Sequence, residues 1–168
     1  GFPWVEIAPE ELDLPAKELV QRYPALILPE GLNQVLPAAL LQLLGSYVQA
    51  GGKVLLVYDA GIRGGAGETL PAAGLADLAG VSYEPDPAGE KGIPADGYWQ
   101  FSSAREATAW GITPGKLDRD NAICSYGYGR LKYRHYRVRL RGARTVAFDG
   151  GDGQNPVITE KTYPSGGA

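Results

Sequence analysis

Between Tyr23 and Gly61 two short apolar runs flank one helix-length amphipathic segment. The runs, Ala25–Leu28 and Val54–Tyr58, are too short for stable helices and are closed by Pro29 and Gly61. Between them Val35, Leu36, Ala39, Leu40, Leu43, Leu44 and Val48 follow the i, i+3, i+4 period of a helix with one buried stripe. Strand, helix, strand, with strands apolar on both faces, predicts a βαβ unit in a parallel sheet covered by helices. Pro37 suits the first turn of that helix, and Gly51-Gly52 predicts a left-handed cap at its end.

The flanking pattern is less regular. Phe2–Ile7 reads as a short edge strand, Pro9–Glu11 as a turn, and Leu14–Tyr23 as a short helix turning Leu19 and Val20 inward. After Gly61 the stretch GIRGGAGETLPAAG predicts a flexible loop at the carboxyl end of the second strand, where ligands bind in open α/β sheets. Pro71–Ala79 reads as a short helix, Val81–Tyr83 as an extended piece, and Glu84–Gly97 as a linker. Thereafter the pattern is mostly β. Tyr98–Ser102, Ala122–Ser125, Thr145–Phe148 and Pro156–Thr159 read as strands, with a helical turn over Ala104–Gly111 and a tight turn over Asp149–Asn155. In Arg130–Leu140 the alternation slips phase at His135-Tyr136, which predicts a bulge or a break into two strands.

A chain of 168 residues is most simply one domain, residues 1–168, with room for a real core. The net charge of −3 gives no overall pull towards nucleic acid or anionic membranes. No apolar run reaches the length of a membrane span. One cysteine, Cys124, excludes an internal disulfide and a cysteine zinc cluster. The chain has no methionine, and GFPWVEI and TYPSGGA both read as cut ends, so the expectation is a domain excised from a larger protein.

The pattern ALILPEG…LLGSYVQAGGKVLLVYDAG resembles the class I glutamine amidotransferase-like fold. ETLPAAGLADLAGVSYE and ARTVAFDGGDGQNPVITEKTYPSGGA are similar to one of its subgroups, the non-catalytic (trimerisation) domain of family 42 β-galactosidases and related carbohydrate-active proteins. The resemblance covers about Pro24–Val81 and Ala143–Ala168 and implies a flavodoxin-like, mostly parallel sheet flanked by helices. A β-rich C-terminal half would complete the fold. It implies a structural, oligomerisation or carbohydrate-associated role beside a neighbouring domain or a second copy, with no cofactor. The family's nucleophilic cysteine sits at a sharp strand-to-helix turn, and the matching residue here is Asp59. Its His-x-Glu pair is also missing, since the one histidine, His135, lies in YRHYR.

Other chemistry is carried by scattered groups. Asp59 and Glu30, each just beyond an apolar strand, are weak candidates for a carboxylate pair of the kind hydrolases use. The plainer reading makes Asp59 a loop cap and Glu30 a favourable charge at a helix N-terminus. Arg63 could hold an anion, although its loop fits neither phosphate-binding motif. Arg130, Lys132, Arg134, Arg137, Arg139, Arg141 and Arg144 form a run without an acid. Arg134, Arg137 and Arg139 with interleaved tyrosines suit an acidic polysaccharide, though a solvated strand face gives the same pattern and the acidic whole argues against nucleic acid. Asp149 and Asp152 in a glycine-rich turn are weak oxygen ligands for a metal such as Ca²⁺. Tyr98, Trp99, Phe101 and Trp110 would make either a sugar-stacking platform or core.

Overall fold

The computed structural model describes residues 4–29, 35–57, 60–61, 74–83, 93–95, 98–111, 122–124, 133–135, 137–149 and 155–168. Its contacts divide the chain into two compact units, Gly1–Glu68 with Thr162–Ala168, and Thr69–Lys161. The second unit is thus inserted in the chain path of the first.

In the first unit, Trp4–Ala8 carries no regular structure, so the expected edge strand is absent there; Trp4 is 83% exposed. Alternation without a pairing partner does not make a strand. A 3₁₀ turn over Pro9–Asp13 and helix α1, Ala16–Arg22, follow. Glu11 ties them together. Its carboxylate accepts from the Ala8 N–H at 3.3 Å and from Arg22 Nη1 at 2.8 Å, and the Tyr23 hydroxyl lies 2.9 Å from both of its oxygens.

Strands β1, Ala25–Leu28, and β2, Lys53–Leu56, pair in parallel with Leu26 opposite Val54 and Leu28 opposite Leu56. Helix α2, Ala38–Gln49, connects them and packs against α1 and β2. Pro37 is its N-cap rather than a first-turn residue. Its C-terminus is a Schellman motif: Gly52 N–H donates to the Tyr47 carbonyl and Gly51 N–H to that of Val48, with Gly51 at φ 99°.

Tyr47 is the residue of α2 that the apolar count omits. Its side chain is fully buried, and its hydroxyl donates to the Tyr23 carbonyl at 2.5 Å. The ring lies flat against Gly52, where a Cβ would sit 2.2 Å from Cε1. The Thr162–Ala168 segment returns to the same place. Ser165 Oγ donates to the Val48 carbonyl at 3.0 Å, and Gly167 fits so closely that a Cβ would sit 2.0 Å from that oxygen. Val54 N–H then donates to the Ala168 carbonyl at 2.7 Å, while Ala168 N–H donates to that of Gly52 at 3.3 Å. Bonds bracketing Lys53 in this way are the parallel pattern. Ala168 therefore stands on the edge of β2 opposite β1, as a third parallel position.

In the second unit α3, Gly74–Ala79, leads through Gly80 (φ 66°) into β3, Val81–Tyr83. The Gly80 carbonyl accepts from Arg141 and Ala143. Strand β4, Ile93–Ala95, lies inside the expected linker. Strands β5, Tyr98–Phe101, and β6, Ala122–Cys124, lie either side of α4, Ala104–Ala109. The basic stretch breaks in two at the predicted slip, into β7, Tyr133–His135, and β8, Val138–Leu140. Strand β7 pairs with β4 and β8 with β3, each antiparallel. Strands β9, Arg144–Asp149, and β10, Pro156–Glu160, complete an antiparallel sheet in the order β10-β9-β5-β6. Phe101, Ala107, Val146 and Ala147 form its core, with Val157 and Ile158 packed on it.

The architecture is mixed α/β with a β-rich C-terminal half. The mostly parallel, helix-flanked sheet expected from the sequence is not what the described strands make: β1–β2 is parallel and the later pairs are antiparallel. A hairpin such as β9–β10 needs only a turn between antiparallel strands, whereas a parallel pair needs a crossover such as α2. One face of β1–β2 is also open: Ile27 and Leu55, directly opposite each other, are 61% and 51% exposed.

Two predictions follow from the tyrosine contacts and the glycine seats. Gly167→Ala should unseat the Thr162–Ala168 segment and, like Gly52→Ala, lower the unfolding free energy by about 1–3 kcal/mol. Gly45→Ala, where nothing lies within 4 Å of the added carbon, should be neutral or stabilising in the same denaturant titration. The second concerns pH. The hydrogen bond from Arg22, then that from Tyr23, holds the Glu11 carboxyl below its ordinary range. Its contribution is complete above the unfolded glutamate pKa of about 4.3 and is lost as pH falls through the lower folded value. Burial pushes the Tyr47 phenol up to about 12. That contribution is complete below the unfolded value of about 10 and lost as pH rises towards the folded one. Glu11→Gln should flatten the acid limb of the stability–pH curve and Tyr47→Phe the alkaline limb. Limbs of unchanged slope would refute the assignment.

Candidate functional site

The β1–β2 register puts the carboxyl ends of two adjacent parallel strands side by side: Leu28 pairs with Leu56, and Val57 N–H donates to the Leu28 carbonyl at 3.1 Å. This is the place where a crevice forms in a parallel sheet. Ala60 and Gly61, just past β2, are both buried. Glu30, Asp59 and Arg63, the groups expected at this end, lie outside the described residues.

The basic run does not form one continuous strand. Arg134 stands on β7 opposite Pro94, Arg139 on β8 opposite Ser82, and Arg137 between the two strands. Arg137 and Arg139 are exposed. Arg144, at the start of β9, belongs to a different sheet and is engaged by acids. Asp149 ends β9 opposite Trp99, while Asp152 lies outside the described residues. Among the described residues no group of three His, Cys, Asp or Glu converges as a metal site would require.

Of the aromatic group, Phe101 and Trp110 separate into core and surface, while the side chains of Tyr98 and Trp99 lie outside the described residues. Phe101 is buried in the core of the four-stranded sheet. Trp110, at the C-cap of α4, is 50% exposed, with its ring centroid 6.2 Å from that of Phe101 at a tilt of 51°. One flank of the indole is fixed by Phe101 and the other faces solvent.

Beside it on α4 lies a charge cluster that sequence patterns do not reveal. Ser103 caps the helix, its Oγ accepting from the Glu106 N–H at 3.2 Å. Glu106 precedes Trp110 by one helical turn and shares its face. Arg144 Nη1 donates to Glu106 Oε1 at 2.6 Å, and Nη2 donates to Glu160 Oε2. Arg144 and Glu160 are cross-strand partners in β9–β10. Glu106 foremost, with Glu160, raises the guanidinium pKa further. Glu106 Oε2 is buried without a hydrogen-bond partner. One guanidinium thus stands between two carboxylates. The cluster fastens α4 to β9 and β10. A shallow groove of about 620 Å³ lies between α1 and α2, bordered by Lys17, Gln42, Ser46 and Gln49.

Arg144→Met should cost about 1–2 kcal/mol, because it leaves the partly buried Glu106 carboxylate unpaired. Glu160→Gln, at a more exposed partner, should cost less than about 1 kcal/mol. Chemical denaturation of both variants measures the order; equal losses would contradict a role centred on Glu106.

No family model matches the sequence. No curated protein matches it either. Among solved structures the fold is similar to part of the β-galactosidase from Bacillus circulans sp. alkalophilus, with a TM-score of 0.57 and 16% identity. The match covers 90% of this chain and 20% of that one, so the chain spans about one fifth of the length of the protein it resembles.

Proposed function

We propose that this chain is a non-catalytic, amidotransferase-like α/β module of a longer glycan-processing protein, serving packing, oligomerisation or carbohydrate contact beside a catalytic neighbour. The observation that carries this reading is the match of nine-tenths of the chain to one fifth of a β-galactosidase. Three features agree with it. Aspartate replaces the nucleophilic cysteine at position 59. The paired glutamates of the second unit are locked by Arg144. The open Ile27–Leu55 face is a surface for protein rather than water. No helix among the described residues is long and apolar enough to cross a membrane.

A second reading, a hydrolase using Asp59 and Glu30, draws on the adjacent carboxyl ends of β1 and β2. One substitution separates the two. In the longer protein, Asp59→Asn should leave turnover of a chromogenic β-galactoside within about twofold of the parent, whereas removal of a catalytic carboxylate typically costs orders of magnitude. A loss of about 100-fold or more, with folding intact by circular dichroism, would replace the first reading with the second.

A further inference from the structure

Two exposed tryptophans differ in how they are held. Trp4 stands 83% exposed in a segment without regular structure. Trp110 is half-exposed but fixed at the end of α4. Its N–H bonds the Glu106 and Ala107 carbonyls at 3.1 and 3.2 Å, and Phe101 backs one flank of the indole. Gly111 follows at φ 77° with open space around it, so the chain leaves the ring without a side chain to cover it. A ring held in place and open to solvent is pre-organised for stacking, since it has little freedom left to lose on contact. Its exposed neighbours on α4, Arg105, Thr108 and Ala109, are polar or small. Among the described residues the apolar footprint is one ring, far short of the roughly 800 Å² that a stable protein partner covers.

The polar groups beside the ring decide the ligand. Glu106, one turn before Trp110 on the same face, joins the indole to the charge cluster. The Arg144 and Glu160 side chains are 50% and 36% exposed, and ion pairs with Glu106 and Glu160 hold the guanidinium in place. Among the described residues those pairs use two of its five N–H donors. The remaining three, with the second oxygen of Glu160, are available to hydroxyl groups. Two carboxylates against one guanidinium leave the cluster one negative charge in excess. Arg105 is turned about 100° round α4 from Glu106, and Lys161 is engaged by the Asp77 carbonyl. We propose that Trp110 with the Glu106–Arg144–Glu160 cluster is a binding subsite for a neutral hexopyranose. A pyranose with its axial hydrogens on one side, as in a galactopyranoside, lays that C–H face on the indole. Its rim of hydroxyls then both donates and accepts. The excess negative charge disfavours a uronate or a phosphate in the same place. A cation fits less well, because Arg144 already occupies the carboxylates and a single ring makes no cage. The proposal rests on the carbohydrate-contact part of the reading above and names its place and ligand class.

Titration of the isotope-labelled 168-residue chain with methyl β-galactopyranoside, followed by NMR at the Trp110 indole N–H, tests this. The expected result is a saturable shift of that resonance with Kd on the order of 1–10 mM, the range of one monosaccharide on an open surface. The corresponding galactopyranuronate should bind at least about threefold more weakly, and Glu160→Gln should narrow that gap. Trp110→Ala, read from the α4 backbone amides and checked for folding by circular dichroism, should weaken the neutral glycoside at least about tenfold. Trp110→Phe should lose less. If Trp110→Ala does not fold, the indole resonance of the parent chain still decides. Sugar-dependent shifts confined to amides away from α4, β9 and β10 would overturn the subsite and leave the carbohydrate reading standing. No shift anywhere in the chain would overturn the subsite and carbohydrate contact together, leaving packing and oligomerisation. Tighter binding of the uronate, or an equal indole shift with tetramethylammonium, would overturn the neutral-sugar assignment. Loss of the non-catalytic reading alone would appear in the Asp59→Asn turnover and leave the indole shift intact.

Discussion

The first unit depends on the phenol of Tyr47 sitting fully buried where three pieces of chain converge. Its hydroxyl holds the Tyr23 carbonyl, which fixes the entry into β1. Its ring covers Gly52, the last residue before β2, and its carbonyl accepts the Gly52 N–H that closes α2. One turn of helix thus sets both ends of the βαβ crossover. A Schellman end alone would cap α2; with the ring stacked on Gly52 it also sets the path into β2. The same turn offers the Val48 carbonyl to Ser165, so the returning segment is fastened to the end of α2. Tyr23 carries the constraint outward through its own hydroxyl to Glu11 and thence to Arg22 and Ala8.

The two units are held by different physics. The first relies on apolar burial under α2 and on close backbone approach at two glycines. The second is antiparallel, with a small apolar core and a charged fastening on its surface. Arg144 serves there as a short-range clamp: it pairs across the hairpin with Glu160 and across to α4 with Glu106. This placement also changes the meaning of the basic run. Cations that look like one stripe in the sequence go to separate strand pairs, and one of them is already shared between two acids. The break between β7 and β8 puts Arg134 and Arg139 on different strand pairings.

What was legible in the sequence is what local periodicity dictates. Ala25–Leu28 is a strand to the residue, the helix between the strands ends at its Gly-Gly, and the phase slip at His135-Tyr136 marks the division into β7 and β8. Tyr47 escaped because an apolar count does not score a phenol, although its spacing from Leu43 and Leu44 puts it on the same stripe. The seat of Gly167 joins residues more than a hundred positions apart, and Glu106, Arg144 and Glu160 lie on three elements. Contacts of that range depend on topology, which no window of sequence encodes. Trp4–Ile7 failed in the opposite sense: it has the composition of a strand but no pairing partner among the described residues. Of the candidate site, the adjacency of the two strand ends was legible, because parallel pairing follows from a single crossover helix. The antiparallel majority was not, since a resemblance carried by apolar and glycine positions does not encode strand direction.

These features bear on function through what the parallel pair lacks. Two parallel strands with one helical layer leave an apolar face and an edge, and small sheets of this kind are marginal until further strands or a second layer cover them. The chain spends specific contacts on bringing its returning segment to that edge, with a glycine that tolerates no side chain and a serine bonded to a helix-end carbonyl. These contacts make the returning segment part of the sheet, with Ala168 bonded on both sides of Lys53. In this form the first unit presents the apolar Ile27–Leu55 face as its surface for further contact.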